Sequence, residues 1–252
     1  ATTDHDGLFI LNVVEERVRQ LAIIADDAQG DRLGTYKVKR DDPPTAETSI
    51  KISLAPCQRL PVEVTDAAGK PAPEVQVGAI ISYAPLVSVV TDGAGKAVLR
   101  LPIETEIQSL YATKPGVGFD YRVVKTLRDE AHQVKWLNNP PIRFQLAESQ
   151  TVLIRLVDVD ENPIIGTDVY LWLLNKPGEP ASFNLSFTPT VFRATTNDTG
   201  VADFRGVPNW SVHPLTFWPT NDQYVHERIR FDPQEHPDGR LTVELDRLVP
   251  VA

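Results

Sequence analysis

The chain has 252 residues, 42% hydrophobic and 23% charged, with a formal net charge of −9. That is enough for one large or two ordinary globular domains. The acidity argues against a nucleic-acid partner, which needs a basic face, and against a polybasic membrane contact; no apolar run approaches the ~20 residues of a membrane span, so no direct membrane insertion is expected of this segment.

One cysteine, Cys57, forms no internal disulfide and reads as a small residue in a strand or interdomain turn. A chain that starts at Ala1 and holds no Met reads as a processed form or a piece of a larger protein.

Three markers recur along the chain. The phrase T-[D/N]-x-x-G comes first, at Thr3-Asp4…Gly7, and returns at Thr91-Asp92…Gly95 and Thr196-Asn197…Gly200. A stretch of period-2 alternation, the pattern of a half-buried strand, occurs at 49–56, 141–148 and 240–247. Its inward series would be Ile50-Ile52-Leu54, Ile142-Phe144-Leu146 and Leu241-Val243-Leu245. An alternating strand ending in Asp and a turn occurs twice, at Leu60–Pro73 and Val152–Ile165, where Asp66 and Pro71 match Asp158 and Pro163 at an offset of 92. These markers predict a partial β-sandwich repeat over 1–56, the back half of a copy, followed by complete repeats over 57–148 and 149–252.

Within the second copy, strands are predicted near 59–65, 74–83, 86–91, 96–101, 107–113, 119–125 and 141–147. In the third they are predicted near 151–158, 167–174, 190–196, 201–205, 214–218, 223–231 and 240–246. Val13–Ala25 scores as helical by spacing, but the repeat argues for a strand at Arg19–Ala25. Leu127–Asn139 reads as a loop or one helical turn, and Lys176–Pro180 as a hairpin tip or loop. The 21 prolines and 14 glycines fall mainly between alternating stretches. About seven short strands in about 95 residues is the signature of an antiparallel sandwich. The expected fold class is all-β, in tandem Ig-like or prealbumin-like sandwiches.

Asp66-Ala67-Ala68-Gly69-Lys70-Pro71, then Thr91-Asp92, Gly95, Leu101 and Pro102, then Tyr111, Ala112, Pro115 and Gly116 together resemble the carboxypeptidase regulatory-like family. The third copy keeps Asp158, Pro163, Thr196, Gly200, Val207 and Pro208, but Glu161 stands where the first glycine belongs. The resemblance implies prealbumin-like sandwiches used as non-catalytic spacer or accessory modules of a larger cell-envelope or secreted protein. It implies an extracytoplasmic setting, with other domains of the parent, or another protein, as partners.

The repeated phrase offers too few carboxylates for Ca²⁺, which takes six to eight oxygens. Asp4, Asp92 and Asn197 instead suit Asx turns, with Gly7, Gly95 and Gly200 taking positive φ. The histidines His5, His132, His213, His226 and His236 show no metal-ligand spacing, so no metal and no cofactor is expected. No nucleophile motif occurs, and no catalytic residue is expected. Tyr121, Tyr224 and His226 do not reproduce the iron site of dioxygenases of similar fold. The first strands of the two complete copies lack the lysine of an isopeptide bond. The remaining lead is Asn209–Tyr224, where Trp210, Trp218 and Tyr224 could stack on a sugar. Phe217 and Trp218 are adjacent, so they point to opposite sides of a strand. Trp136 and Trp172 read as core or domain contacts.

Overall fold

The structure is a computed structural model that describes residues 3–5, 7–10, 22–27, 29–38, 45, 49–81, 84–102, 107–124, 140–188, 191–210, 214–225 and 227–248. The helix-or-strand ambiguity at 13–21, the segment Leu127–Asn139 with His132 and Trp136, and the histidines His213 and His226 lie outside these residues. Ala1–Gln58 with Leu101–Glu104 form one compact unit, and Arg59–Arg100 with Thr105–Ala252 another. Among the described residues there is no α-helix, and none is long and apolar enough to cross a membrane.

In the first unit, β1 (Ala22–Asp26) pairs antiparallel with β2 (Arg32–Lys37), and β2 with the first residues of β3 (Ala55–Thr65). The closing strand expected at 49–56 is not formed: regular structure begins only at Ala55. Ile50, Ile52 and Leu54 do alternate half-buried with exposed neighbours. The segment crosses β2 closely enough that a Cβ on Gly34 would meet Ile52 and the Ser53 carbonyl at 2.6 Å. Alternation therefore reports a sided segment here, not a ladder.

The second unit is all-β, with two strand sets of the same design. In the first set are β3, β4 (Gln76–Ile81), β5 (Ala84–Val90), β6 (Lys96–Pro102), β7 (Ile107–Lys114), β8 (Gly118–Val123) and β9 (Ile142–Gln145). They form sheets ordered β6-β3-β9 and β5-β4-β7-β8. In the second set are β10 (Ser149–Val157), β11 (Asp168–Leu174), β12 (Phe183–Asn184), β13 (Arg193–Thr195), β14 (Val201–Pro208), β15 (Leu215–Thr220), β16 (Ile229–Phe231) and β17 (Arg240–Glu244). Here the order is β14-β10-β17 and β12-β11-β15-β16, with β13 also on β11. In both sets the first and last strands pair parallel: Val62↔Ile142 to Thr65↔Gln145, and Leu153↔Arg240 to Val157↔Glu244. This order differs from the A-B-E-D and C-F-G sheets of an immunoglobulin constant domain.

The sets differ at one edge. β5 is a continuous partner of β4, but its counterpart is split into β12 and β13, with a 3-10 turn at Leu185–Phe187 after the loop 175–182. The strand expected at 223–231 also shrinks to Ile229–Phe231. Asn221 Oδ1 accepts from Gln223 N–H and bends the chain there, leaving Tyr224 a lone bridge to Arg247.

One turn recurs six times among the described residues. Asp4, Asp27, Asp66, Asp92, Asp158 and Asn197 each accept, at Oδ1, the N–H four residues on. Each backbone carbonyl accepts from the residue three on, which has positive φ: Gly7, Gly30, Gly69, Gly95, Glu161 and Gly200. The carboxylate or amide satisfies backbone N–H groups that the reversal leaves unpaired.

Two of these turns are also docked. Gly95 O accepts from Val64 N–H and Gly200 O from Leu156 N–H, each at 2.8 Å. A Cβ on Gly95 would stand 2.4 Å from Val64 O, and one on Gly200 2.5 Å from Leu156 O. The preceding threonines are buried pegs. Thr91 Oγ1 accepts from Val75 N–H and donates to Ala72 O; Thr196 Oγ1 accepts from Thr167 N–H. Around Gly7 there is open space, and Thr3 is exposed.

Candidate functional site: the junction of the two sandwiches

β4 is apolar on both faces: Val77, Gly78, Ala79, Ile80 and Ile81 are all buried. One face closes the first sandwich. The other, with Ile80, Tyr111, Phe119, Tyr121 and Val123, joins a single core with Phe183, Leu185, Val207 and the interior of the second sandwich. Phe183 meets Tyr111, Phe119 and Tyr121 at ring distances of 5.7, 5.3 and 5.3 Å, and Phe192 meets Phe119 at 5.6 Å. Burying one such side chain contributes about 1.5–3 kcal/mol.

Polar groups lock this seam. Tyr121 Oη accepts from Lys176 N–H at 2.9 Å and lies 3.1 Å from the Leu174 and Ala181 carbonyls. Burial pushes its pKa up to about 12; the Lys176 amide acts against this and the Glu179 charge with it. Asp120 is 1% exposed and fully engaged. Oδ1 accepts from Tyr121 N–H at 2.8 Å and from Lys176 Nζ at 2.6 Å, and Oδ2 from Gln145 N–H at 2.9 Å. Glu179 accepts from Val123 N–H at 2.9 Å and pairs with Arg122. At the rim, a Cβ on Gly206 would meet the Gly116 backbone at 3.1 Å, and Asn209 N–H donates to Glu148 O.

A cleft of about 550 Å³ opens beside the seam, walled by Glu63, Arg122, Arg143, Gln145, Lys176 and Trp210 among others. Its three cations are already paired: Arg143 with Glu63, Arg122 with Glu179, and Lys176 with Asp120. No group of three or more potential metal ligands occurs among the described residues.

The residues singled out from sequence go to separate places. Trp210, half-buried, packs on Tyr121 at 5.9 Å and lines the cleft. Trp218, half-buried on the opposite side of β15 from the buried Phe217, meets Trp172 edge-on at 5.9 Å. Tyr224 is buried beneath Arg247, whose guanidinium lies 5.8 Å from the ring and 3.3 Å from Asp158. No ring contact joins any two of the three. Asp4, Gly7, Asp92, Gly95, Asn197 and Gly200 lie in the turns described above. Sequence reasoning missed Asp120, Lys176 and Glu179. The usable signal was the unbroken apolar run Val77–Ile81, which marks a strand buried on both faces.

No protein-family model matches the chain, and no curated protein does. Among solved structures, the chain is similar to the shaft pilin SpaA of Lactobacillus rhamnosus GG, with TM-score 0.28 and 12% identity over 77% of this chain and 100% of that one. It is similar to a streptococcal ancillary pilin, with TM-score 0.29 and 9% identity over 86% and 70%. It is also similar to the Bacillus anthracis TIE protein, with TM-score 0.27 and 12% identity over 90% and 42%.

Proposed function

We propose that this chain is a non-catalytic tandem β-sandwich module, a stiff spacer that also contacts protein partners within a larger extracytoplasmic protein. The observation that carries this reading is the seam. The outer face of β4, β7 and β8 is built into the hydrophobic core of the second sandwich, and an ion pair to the buried Asp120 and a buried phenol pin the loop 175–182 onto β8. Such a joint transmits position and load instead of hinging. The residue resemblance to carboxypeptidase regulatory-like domains supports the accessory role and the extracytoplasmic setting. In this reading 57–148 and 149–252 are complete repeats, and 1–56 is the back half of another. Trp210 and Tyr224 are used in packing, so a glycan-binding role would fall to Trp218 alone.

Stiffness is directly measurable. Spin labels at Ala94→Cys and Asp198→Cys, both exposed turn tips, in a Cys57→Ser background should give one narrow distance distribution by double electron–electron resonance. A broad distribution would remove the spacer reading.

A further inference from the structure

Strand register assigns each outward residue of the second sandwich a counterpart in the first. Gly78 faces Tyr111 across β4 and β7, and Tyr170 faces Trp218 across β11 and β15. Tyr111 in turn faces Tyr121, and extending the β15–β16 register from Phe217↔Ile229 places Arg228 beside Trp218. Ile80, Tyr111, Tyr121 and Val123 therefore correspond to Trp172, Trp218, Arg228 and Arg230. The first four are at most 4% exposed. A loop that brings a ring and a carboxylate covers them. The Phe183 ring lies 5.7 and 5.3 Å from the Tyr111 and Tyr121 rings, and the Glu179 carboxylate accepts from Val123 N–H and pairs with Arg122.

The second four are half-exposed to exposed. Trp172 and Trp218 stand at 82° to each other, and the Arg228 guanidinium caps both rings at 5.1 and 5.5 Å. Arg193 stands opposite Tyr170 and extends the row across the sheet. The charges on this face are Arg193, Arg228 and Arg230 against Asp168 and Asp232. Arg193 and Arg230 take the two carboxylates, and among the described residues none forms an ion pair with Arg228. The face is thus locally cationic on a chain of net charge −9, and the unanswered cation sits at the two rings. Trp and Arg are the residues that anchor interfaces, and arginine–aromatic contacts gain strength when desolvated. Because the guanidinium takes a face of each ring, flat stacking of a sugar is obstructed. The notch between rings at right angles still admits an inserted side chain.

We infer that the face formed by Tyr170, Trp172, Trp218 and Arg228 docks a loop of another protein that carries a carboxylate and an aromatic ring spaced like Glu179 and Phe183. The ring enters the tryptophan notch and the carboxylate meets Arg228. This is the chemistry that already covers the corresponding positions of the first sandwich, now with a cation placed to answer the carboxylate. The inference rests on the reading of the chain as a protein-contacting module.

The test titrates the acetylated, amidated peptide Glu-Pro-Ala-Ser-Phe, the sequence of 179–183, to about 10 mM against the isotope-labelled full chain, read by NMR at the indole N–H signals. Those of Trp172 and Trp218 should shift and saturate. Arg228→Gln in the chain, or Gln for Glu in the peptide, should each weaken binding about threefold, and the two together no further. Ala for Phe in the peptide should abolish saturation. Arg228 is exposed, so the variant should keep the wild-type backbone spectrum. Indole signals that stay in place up to that concentration overturn the assignment, as does binding indifferent to Arg228→Gln. Saturable shifts of the same two signals by trigalacturonic acid at lower concentration would overturn it too, by giving the face to an acidic sugar. None of these outcomes alters the spin-label distance, so failure of this inference is separable from failure of the spacer reading.

Discussion

Tyr111 and Trp218 hold the same place in two sheets of the same strand order, yet one is buried and the other half-exposed. Likewise Tyr121 lies in the covered face and accepts from the Lys176 amide, whereas its counterpart Arg228 caps two open tryptophans. The cause is local. Splitting the β5 counterpart into β12 and β13 frees the loop 175–182, with Phe183 and Phe192, to reach back and cover the first sandwich. A repeat can thus keep its inner core and reassign its outer face by lengthening one edge loop.

The comparison breaks most sharply at the seam. Lys176→Met strands the buried Asp120 carboxylate and should cost about 3–5 kcal/mol in urea unfolding of the full chain. A cost below about 1 kcal/mol would mean that the pair is a surface contact. The turns come next. Gly200→Ala imposes positive φ on a residue with a Cβ and drives that Cβ into the Leu156 carbonyl, a cost of about 3 kcal/mol. Gly7→Ala, with the same φ and open space, should cost only about 1 kcal/mol. Equal costs would show that docking onto the first strand of a sandwich adds nothing.

Smaller in size is the mismatch between Gly69 and Glu161, which share one turn at φ 79° and 63°. Glu161→Gly should stabilise the protein by up to about 1 kcal/mol, measured as a raised thermal midpoint. Acid sharpens the comparison further. Burial works against ionisation of Asp158, but the Asn162 and Asp160 amides and Arg247 outweigh it and lower its pKa. Asp168 is also lowered, by the Thr195 hydroxyl against burial and with Arg193. Depressed folded-state values give stability that is present above the unfolded value, about 3.9, and is lost as pH falls through the folded value. Urea midpoints should therefore fall between about pH 5 and 2, and fall less steeply in Asp158→Asn.

Much of this was legible in the sequence. Seven predicted strands over 59–147 match β3–β9 to within a few residues, because alternation and Asp–Gly punctuation are local signals. The misreadings have physical causes. Ile50, Ile52 and Leu54 alternate in burial without joining a strand ladder, and the Asn221 Asx turn leaves Tyr224 an isolated bridge where a strand was expected to start. The seam was invisible because Asp120 and Lys176 are 56 residues apart, and no local pattern announces a pair that only tertiary packing creates. Lys176–Pro180 was legible as a loop; what it binds was not.

Native-state hydrogen exchange tests the shared core at the junction most directly. Amides of Leu110 and Tyr121 in the first sandwich, and of Ile154 and Leu171 in the second, should open with the same free energy and the same denaturant dependence. Separate opening of the two groups, with one exchanging at markedly lower free energy, would contradict a shared core and with it the stiff joint.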